Sequence, residues 1–337
     1  MVDFLLALWA DYGSFLLKTV TIVFAVVFVV GMVANAAQRQ KSSEGELQID
    51  NLSDGLRDTV NDMRLSLASG KARKQLAKAL KKEKPSDAEK SRLFLIDFKG
   101  SMDAKEVESL RREVTAIISV ASDKDEVLVK LESPGGVVHG YGLAAAQLKR
   151  LRDHKLKVTI AVDKVAASGG YMMACVGEEI VAAPFAVIGS IGVLAQIPNF
   201  HKVLKKNDID FEQITAGEYK RTLTVFGENT DKGREKFKEE IESIHDMFKR
   251  FVKSQREQLD IDAVATGEVW YGEEALAKGL VDRIATSDDL LLEAVKSKDV
   301  IRVRYKPKVK LGEKIAQQAT AAVEHSVLKW YQNSRFY

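Results

Sequence analysis

From residue 92 onward, short apolar runs alternate with amphipathic stretches, and this alternation constrains the fold more than any other feature of the sequence. Residues 93–98 and 126–131 are short and mostly apolar, which predicts buried strands. Residues 107–118 lie between them and have apolar residues at helical spacing, which predicts a helix. Strands that alternate with helices pair in a largely parallel sheet. We therefore predict an α/β fold of repeated strand-helix units over residues 92–305.

A serine flanked by small residues lies between a predicted strand and the helix that follows it. Residues 166–171 read Ala-Ala-Ser-Gly-Gly-Tyr, with Ser168 inside this segment. Small neighbours let a peptide backbone approach the hydroxyl, and the N-terminus of a helix favours an oxyanion. A serine hydroxyl is a poor nucleophile until a base takes its proton. Ser168 is therefore a candidate nucleophile that needs a base elsewhere in the chain.

Two further motifs supply the candidate base and the candidate oxyanion donors. Lys220 lies in a Tyr-Lys-Arg triplet fifty-two residues after Ser168, and a lysine kept neutral in a dry pocket can accept the serine proton. Gly135 and Gly136 follow a predicted strand, at the edge where open α/β folds place their active sites. Backbone N–H groups of Gly169 and of Gly135 or Gly136 can bind a developing oxyanion. In isolation Lys220 is more typical of a surface lysine, and only the combination of motifs singles it out.

The order and spacing of these motifs resemble the signal peptide peptidase A family of bacterial membrane proteases. The resemblance covers residues 92–305 and includes the segments 97–104, 163–174 and 271–282, the second of which contains Ser168. It implies a fold similar to crotonase and ClpP, a Ser-Lys dyad and ring-shaped homo-oligomers of four or more subunits. It also implies that Ser190, 22 residues after Ser168, hydrogen-bonds and orients the catalytic lysine.

The function that the resemblance implies is that of a membrane-anchored serine endopeptidase. Its substrates would be peptides or unfolded proteins, such as signal-peptide remnants or membrane-protein fragments, cleaved through an acyl-enzyme without a cofactor. Two alternatives stay open. A crotonase-like fold with an oxyanion hole suits an acyl-CoA hydratase or isomerase, although those enzymes need no Ser-Lys pair. The other alternative is a membrane scaffold whose site is vestigial.

The histidines offer a competing arrangement for the nucleophile. His139 follows the Gly-Gly pair by three residues and, with Asp163 as the acid, would give Ser168 a Ser-His-Asp triad. The sequence contains no H-E-x-x-H, paired Cys-x-x-Cys or G-x-x-x-x-G-K-[ST] motif, so it does not support a metalloprotease or a built-in ATPase. The other four histidines lie in polar, exposed contexts without an evident partner: His154, His201, His245 and His325.

Residues 19–37 form a run of nineteen residues without a charge. At ~1.5 Å per residue such a helix spans about 28 Å, which suffices for the hydrocarbon core of a bilayer. We predict one retained transmembrane helix within an N-terminal segment 1–39, with cleavage as a signal peptide the weaker interpretation. Flanking charges favour a cytoplasmic catalytic domain, whereas the resemblance implies the periplasmic side of the bacterial inner membrane.

A second uncharged run, residues 181–200, invites the interpretation of another membrane span. The run contains two prolines, two glycines and an asparagine, which favour two short buried strands joined by turns over a lipid-facing helix. We therefore predict that this run is buried in the catalytic domain.

The remaining segments are polar or amphipathic. The composition of residues 40–91 predicts a helical linker. Its stretch from 71 to 84 contains seven Lys or Arg residues and one Glu. This basic strip is either a solvated helix face or a surface attracted to anionic lipid headgroups. Residues 306–337 form an amphipathic tail that can contact the membrane or a neighbouring subunit. The formal net charge is only +3, so nothing in it indicates nucleic-acid binding.

Apolar residues at a spacing of three and four also predict one long amphipathic helix. Such a stripe packs against the core or joins subunits. Its members are Phe237, Ile241, Ile244, Phe248, Phe251 and Val252.

Overall fold

Short apolar segments pair into two sheets in the computed structural model, which describes residues 18–21, 45–82 and 91–308. The strands predicted at 93–98 and 126–131 are confirmed to within one residue at each end. The strands of the described residues are β1 (Glu46–Asn51), β2 (Arg92–Lys99), β3 (Glu126–Glu132), β4 (Lys157–Val162), β5 (Val165–Ala167), β6 (Glu179–Ala182), β7 (Val187–Gly189), β8 (Val269–Tyr271), β9 (Arg283–Ile284) and β10 (Asp299–Lys306).

The larger sheet is mainly parallel and has the strand order β1-β10-β2-β3-β4-β6-β9. Every pair from β10 to β9 is parallel. The smaller sheet has the order β5-β7-β8, with β5 and β7 parallel and β8 antiparallel to β7. A bridge between Ser133, just after β3, and Ala166 of β5 joins the two sheets. The mixed α/β fold that the alternating pattern predicts is thus confirmed.

Helices occupy the connections between the strands of the larger sheet. The helix predicted at 107–118 is present and runs two residues further. The helices of the described residues are α1 (Leu52–Leu67), α2 (Gly70–Lys82), α3 (Val107–Val120), α4 (Val138–Asp153), α5 (Gly169–Ala174), α6 (His201–Lys206), α7 (Asp231–Gln255), α8 (Ile261–Val264), α9 (Gly272–Ala277) and α10 (Ser287–Ala294).

The main core lies between the larger sheet and the apolar faces of α3, α4 and α5. Ile96 and Val129 project from the sheet into this core and are fully buried. Leu110 of α3 and Leu148 of α4 cover them from the helical layer. Burial of one such side chain contributes roughly 1.5–3 kcal/mol, so these faces hold the parallel strands and their C-terminal ends in place.

The folded unit begins well before residue 92, within the segment that the sequence analysis assigns to a linker. Strand β1 forms the edge of the sheet beside β10. The buried hydroxyl of Ser53 accepts the N–H of Val300 at 2.7 Å, and Arg57 pairs with Asp299 at 3.0 Å. An edge strand that is half solvated has no apolar run, so the strand pattern did not reveal it.

Several sequence predictions concern the ends of the chain. The described residues 47–82 and 91–306 belong to one compact unit, and the ends of the chain up to residue 46 and from residue 307 are assigned to a second unit. Except at 19–21, the membrane helix predicted at 19–37 lies outside the described residues, as does the tail after 308. Within the described ranges, no helix is long and apolar enough to cross a membrane. Of the basic strip at 71–84, Lys71, Arg73, Lys74 and Lys78 are exposed on α2, and the side chains of its other basic residues are not described. Its binding to lipid stays a prediction.

The first part of the second uncharged run is folded into short buried strands, as predicted, but the burial predicted for the whole run is wrong beyond residue 193. The run contains the end of β6 and the whole of β7, and Val181 and Ile188 are fully buried. After residue 192 the chain no longer joins either sheet, and Leu194 is 79% exposed. The long amphipathic helix is present as α7, where Phe248 and Val252 are buried and the stripe towards the N-terminus of α7 is half-buried.

An ion pair between the buried Arg256 and the partly exposed Asp282 ties the C-terminal end of α7 to the loop before β9. Arg256 is 4% exposed and donates to both carboxyl oxygens of Asp282, at 2.7 and 2.8 Å. It also donates to the carbonyl oxygen of Gly279 at 3.1 Å. Because Asp282 in turn accepts the N–H of Ile180 on β6, this pair connects α7 with the sheet.

We expect Arg256→Met to lower the free energy of unfolding by about 2 kcal/mol, because it removes two charge-assisted hydrogen bonds to the Asp282 carboxylate and one to the Gly279 carbonyl oxygen. The matched control is Arg111→Met, which removes an exposed pair with Glu108 and should cost less than about 1 kcal/mol. Denaturant unfolding monitored by circular dichroism measures both values. Equal, small effects would contradict the role given to this pair.

Candidate active site

Ser168 occupies the junction between β5 and α5 in a strained conformation. Its φ is 52° and its ψ is −118°, a combination that costs a non-glycine residue about 1–3 kcal/mol. The Ser168 N–H donates to the carbonyl oxygen of Gly189 at 2.8 Å, and its own carbonyl oxygen accepts the Met172 N–H at 3.0 Å. The backbone is therefore fixed on both sides of a half-buried side chain. As predicted, the serine directly precedes a helix.

The glycine turn after β3 packs directly against this serine. Gly135 has a φ of +90°, which favours glycine, and a Cβ there would lie 2.7 Å from the Ser168 Cβ. The same Cβ would lie 2.8 Å from the Gly169 nitrogen. A Cβ on Gly136 would overlap the carbonyl group of Met102. The sequence therefore needs both glycines for the turn to approach the N-terminus of α5.

The three glycines differ in what their N–H groups bind. The Gly135 N–H donates to the Ser133 hydroxyl at 3.1 Å and is directed into the protein. In the described part of the chain, the N–H groups of Gly136 and Gly169 have no acceptor. Of the alternatives that the sequence left open, Gly136 and Gly169 are thus the pair free to bind an oxyanion.

Ser190 lies beside Ser168 because of strand pairing. Ala167 is opposite Gly189 in the register of β5 and β7, so the residues that follow these two positions are neighbours. Ser190 also has a positive φ, of 53°, and its N–H donates to the carbonyl oxygen of Glu268 at 2.6 Å. Its hydroxyl makes no hydrogen bond to Lys220 within the described residues.

Lys220 is exposed, so the dry pocket expected for it is absent from the single chain. Among the described residues its amino group makes no hydrogen bond to Ser168 or to Ser190. The loop that carries it lies on the start of α7, where Lys232 pairs with Glu218 at 2.6 Å. The segment around this loop joins neither sheet and leaves its apolar residues in solvent, which is the physical reason for the exposure. The structure thus brings together Ser168, Ser190 and the glycines, and leaves Lys220 outside.

The alternative Ser-His-Asp triad has no geometric support. His139 is exposed, and in the described residues it has no hydrogen bond to Asp163 or Ser168. The Asp163 carboxylate instead accepts the N–H and the hydroxyl of Ser287, at 2.8 and 2.6 Å. Asp163 therefore anchors the first residue of α10.

Sequence reasoning missed several polar residues around the site. His245, interpreted as exposed and without a partner, is half-buried, and its Nε2 lies 3.2 Å from the carbonyl oxygen of Ile191, next to Ser190. Ser133 and Tyr141 are both fully buried beneath the glycine turn. The Gly135-Gly136 pair predicted the turn, but nothing in the sequence paired Ser133 with a tyrosine eight residues later.

Most of the sequence is similar to known protein families and to individual relatives. The sequence matches two family descriptions, Peptidase family S49 N-terminal over residues 7–148 and Peptidase family S49 over residues 150–301. It is 50% identical over 324 residues to the probable protease SohB of Haemophilus influenzae, covering 91% of this chain and 92% of that protein. It is 42% identical over 344 residues to the putative protease SohB of Buchnera aphidicola subsp. Baizongia pistaciae, covering 97% and 99%.

A solved structure also aligns with the chain. The 1510-N membrane-bound stomatin-specific protease, in complex with a substrate peptide, matches with a TM-score of 0.43 at 16% identity. The alignment covers 69% of this chain and 99% of that structure.

We expect Gly135→Ala to reduce any hydrolytic activity of the chain by at least about tenfold, because the new Cβ would push the turn away from Ser168. The matched control is Gly142→Ala in α4, where a Cβ would meet nothing within 4 Å. Replacing this glycine with alanine should stabilise the helix by up to about 1 kcal/mol. Turnover and thermal unfolding are measured for both variants. Full activity of Gly135→Ala would show that the close contact is not required.

Proposed function

Because the chain belongs to peptidase family S49 and is therefore a peptidase, we propose that it is a serine endopeptidase with a Ser168–Lys220 dyad. Ser168 is the nucleophile, Lys220 the general base, and Ser190 orients the lysine. The observation that carries this proposal is the position of Ser168, half-buried and strained at the start of α5 beside the unbound N–H groups of Gly136 and Gly169.

The acylation step follows from these positions. Lys220 Nζ accepts the proton of Ser168 Oγ, and the oxygen attacks the carbonyl carbon of the peptide. The carbonyl oxygen becomes an oxyanion, which accepts hydrogen bonds from the N–H groups of Gly136 and Gly169. The carbon–nitrogen bond then breaks, and the proton on Lys220 passes to the leaving amine. The product is an ester between Ser168 and the acyl half of the peptide.

The deacylation step uses the same groups. A water molecule gives its proton to Lys220 and attacks the ester carbonyl. The oxyanion forms again between the same two N–H groups, and its collapse returns the proton to Ser168 Oγ and releases the carboxylic product. Each oxyanion donor contributes roughly 3–4 kcal/mol to such a reaction, so this pair is the largest single source of catalysis in the scheme.

Lys220 must be removed from water to act as this base, because desolvation favours the neutral amine. We propose that assembly of the chain into a homo-oligomer of four or more subunits provides that cover. The support is an exposed apolar surface on the segment 193–226, which includes Leu194, Val203, Ile209, Ile214 and Phe226. A soluble monomer rarely exposes so many large apolar side chains along one segment.

We further propose that the enzyme works at the bacterial inner membrane on extended peptides, such as signal-peptide remnants. The crotonase- and ClpP-like arrangement belongs to the same proposal, and the mixed α/β architecture supports it. Family membership argues against the acyl-CoA enzyme and the vestigial scaffold, since the chain matches the peptidase family over 7–148 and 150–301.

We expect Ser168→Ala and Lys220→Ala each to lower peptide hydrolysis on the order of a thousandfold or more, and the double variant to be no worse than the single ones, because dyad members act as a unit. A fluorophosphonate should label the wild-type chain at Ser168, as read by peptide mass spectrometry. The matched control is Lys206→Ala, which removes another exposed lysine from the same segment and should leave turnover unchanged. Wild-type turnover in either dyad variant would rule out the dyad.

We expect Leu194→Asp to disperse the oligomer, because it places a charge within the exposed apolar segment. Leu67→Asp on α1 is the matched control, since both leucines are 79% exposed in the single chain. Light scattering measures the mass of each variant, and turnover is measured on the same samples. A wild-type chain that is monomeric and fully active would contradict the proposed assembly.

A further inference from the structure

A line of buried hydrogen bonds lies directly beneath the glycine turn. Tyr141 and Ser133 are both fully buried, and their hydroxyl oxygens lie 2.5 Å apart. The Tyr141 hydroxyl also lies 2.8 Å from the carbonyl oxygen of Ser101, and the Gly135 nitrogen lies 3.1 Å from Ser133 Oγ. Three segments that are separate in the sequence are thus joined by one continuous line.

The chemistry of the end groups sets the direction of each hydrogen bond in this line. A carbonyl oxygen can only accept, so Tyr141 donates its proton to Ser101. Ser133 then donates its proton to the Tyr141 oxygen and accepts the N–H of Gly135. Burial raises the pKa of Tyr141, which keeps its hydroxyl protonated. Because each hydroxyl both donates and accepts, the loss of either leaves a buried polar group unsatisfied.

The same contacts hold the turn on both sides of Gly136. Before it, the Gly135 N–H is bound to Ser133. After it, the Val137 N–H donates to the carbonyl oxygen of Met102 at 2.9 Å. Met102 directly follows Ser101, whose carbonyl oxygen accepts the Tyr141 proton. The free N–H of Gly136 therefore lies between two bound N–H groups, and Tyr141 connects the structures that bind them.

The ring of Tyr141 also supports the second candidate donor. A Cβ on Gly169 would overlap the ring and would lie 2.8 Å from the Tyr141 Cβ, so the first residue of α5 rests on this side chain. A shift of the ring would move the Gly169 N–H. One buried tyrosine thus contacts Gly169 directly and reaches the glycine turn through Ser133.

We propose that Tyr141, acting through Ser133, is a positioning residue that holds the N–H groups of Gly136 and Gly169 at the oxyanion. This inference rests on the proposed Ser168 chemistry. The Tyr141 hydroxyl is engaged by Ser101 and Ser133, so it takes no part in proton transfer. Its contribution is placement, and an error of about 1 Å in a catalytic site costs up to roughly a hundredfold in rate.

The test is Tyr141→Phe, which removes the hydroxyl and keeps the ring. We expect kcat to fall roughly tenfold to a hundredfold while KM changes by less than about twofold, because the affected contact forms only in the transition state. The affinity for a peptide boronate, which mimics the tetrahedral state, should fall by the same factor as kcat/KM. Ser133→Ala interrupts the same line and should give the same pattern, with a double variant no worse than the poorer single one.

The matched control is Tyr171→Phe. Tyr171 is also fully buried, and its hydroxyl donates to the carbonyl oxygen of Leu280 at 2.9 Å, away from the glycine turn. This variant loses one buried hydrogen bond, whereas Tyr141→Phe loses two, so it should also lower the melting temperature. It should nevertheless keep the wild-type kcat and boronate affinity.

Unchanged kcat in Tyr141→Phe and Ser133→Ala would overturn the inference, as would a loss of kcat in Tyr171→Phe of the same size. If Tyr141→Phe does not fold, Ser133→Ala decides by the same criteria. The outcome for the proposed function is separate. Hydrolysis that persists in Ser168→Ala removes the proposed function, whereas Ser168-dependent hydrolysis with unaltered kcat in these variants removes only the positioning role.

Discussion

The turn at Gly135 lies so close to Ser168 that no side chain fits between them, and the arrangement of the site depends on this contact. The contact is possible because β3 and β5 join through the bridge at Ser133, which places the end of one sheet against the start of α5. Close approach then directs two N–H groups to the place where an oxyanion would form. The strained φ of Ser168 is the cost of holding the proposed nucleophile there.

Much of the fold could be predicted from the sequence because buried parallel strands are short continuous apolar runs. Strands β2 and β3, helix α3 and the helix that begins after Ser168 all follow from that pattern. Residues 40–91 were predicted to be helical and contain α1 and α2, but strand β1 and the attachment of α1 to the sheet could not be predicted in the same way. Their attachment depends on polar contacts, such as the Ser53 hydroxyl with the Val300 N–H, between residues far apart in the sequence.

The candidate site was predictable only in part, for a related reason. The small residues around Ser168 and the Gly-Gly pair are local signals, because they allow backbone conformations and close approaches that larger side chains would prevent. The exposure of Lys220 is not local, because it depends on what covers the segment that carries it. The hydrogen bonds of Tyr141 with Ser133 and with Ser101 are equally invisible in the sequence, since the second of them joins residues 40 positions apart.

The central claim is that Ser168 attacks a peptide carbonyl whose oxygen is bound by Gly136 and Gly169. The most direct measurement is a crystal structure of the full chain with a peptide boronate or aldehyde bound covalently to Ser168. The account predicts that the oxygen of the tetrahedral adduct lies about 3 Å from the nitrogen atoms of both glycines. An adduct on Ser168 whose oxygen faces solvent, or an adduct on another residue, would contradict it.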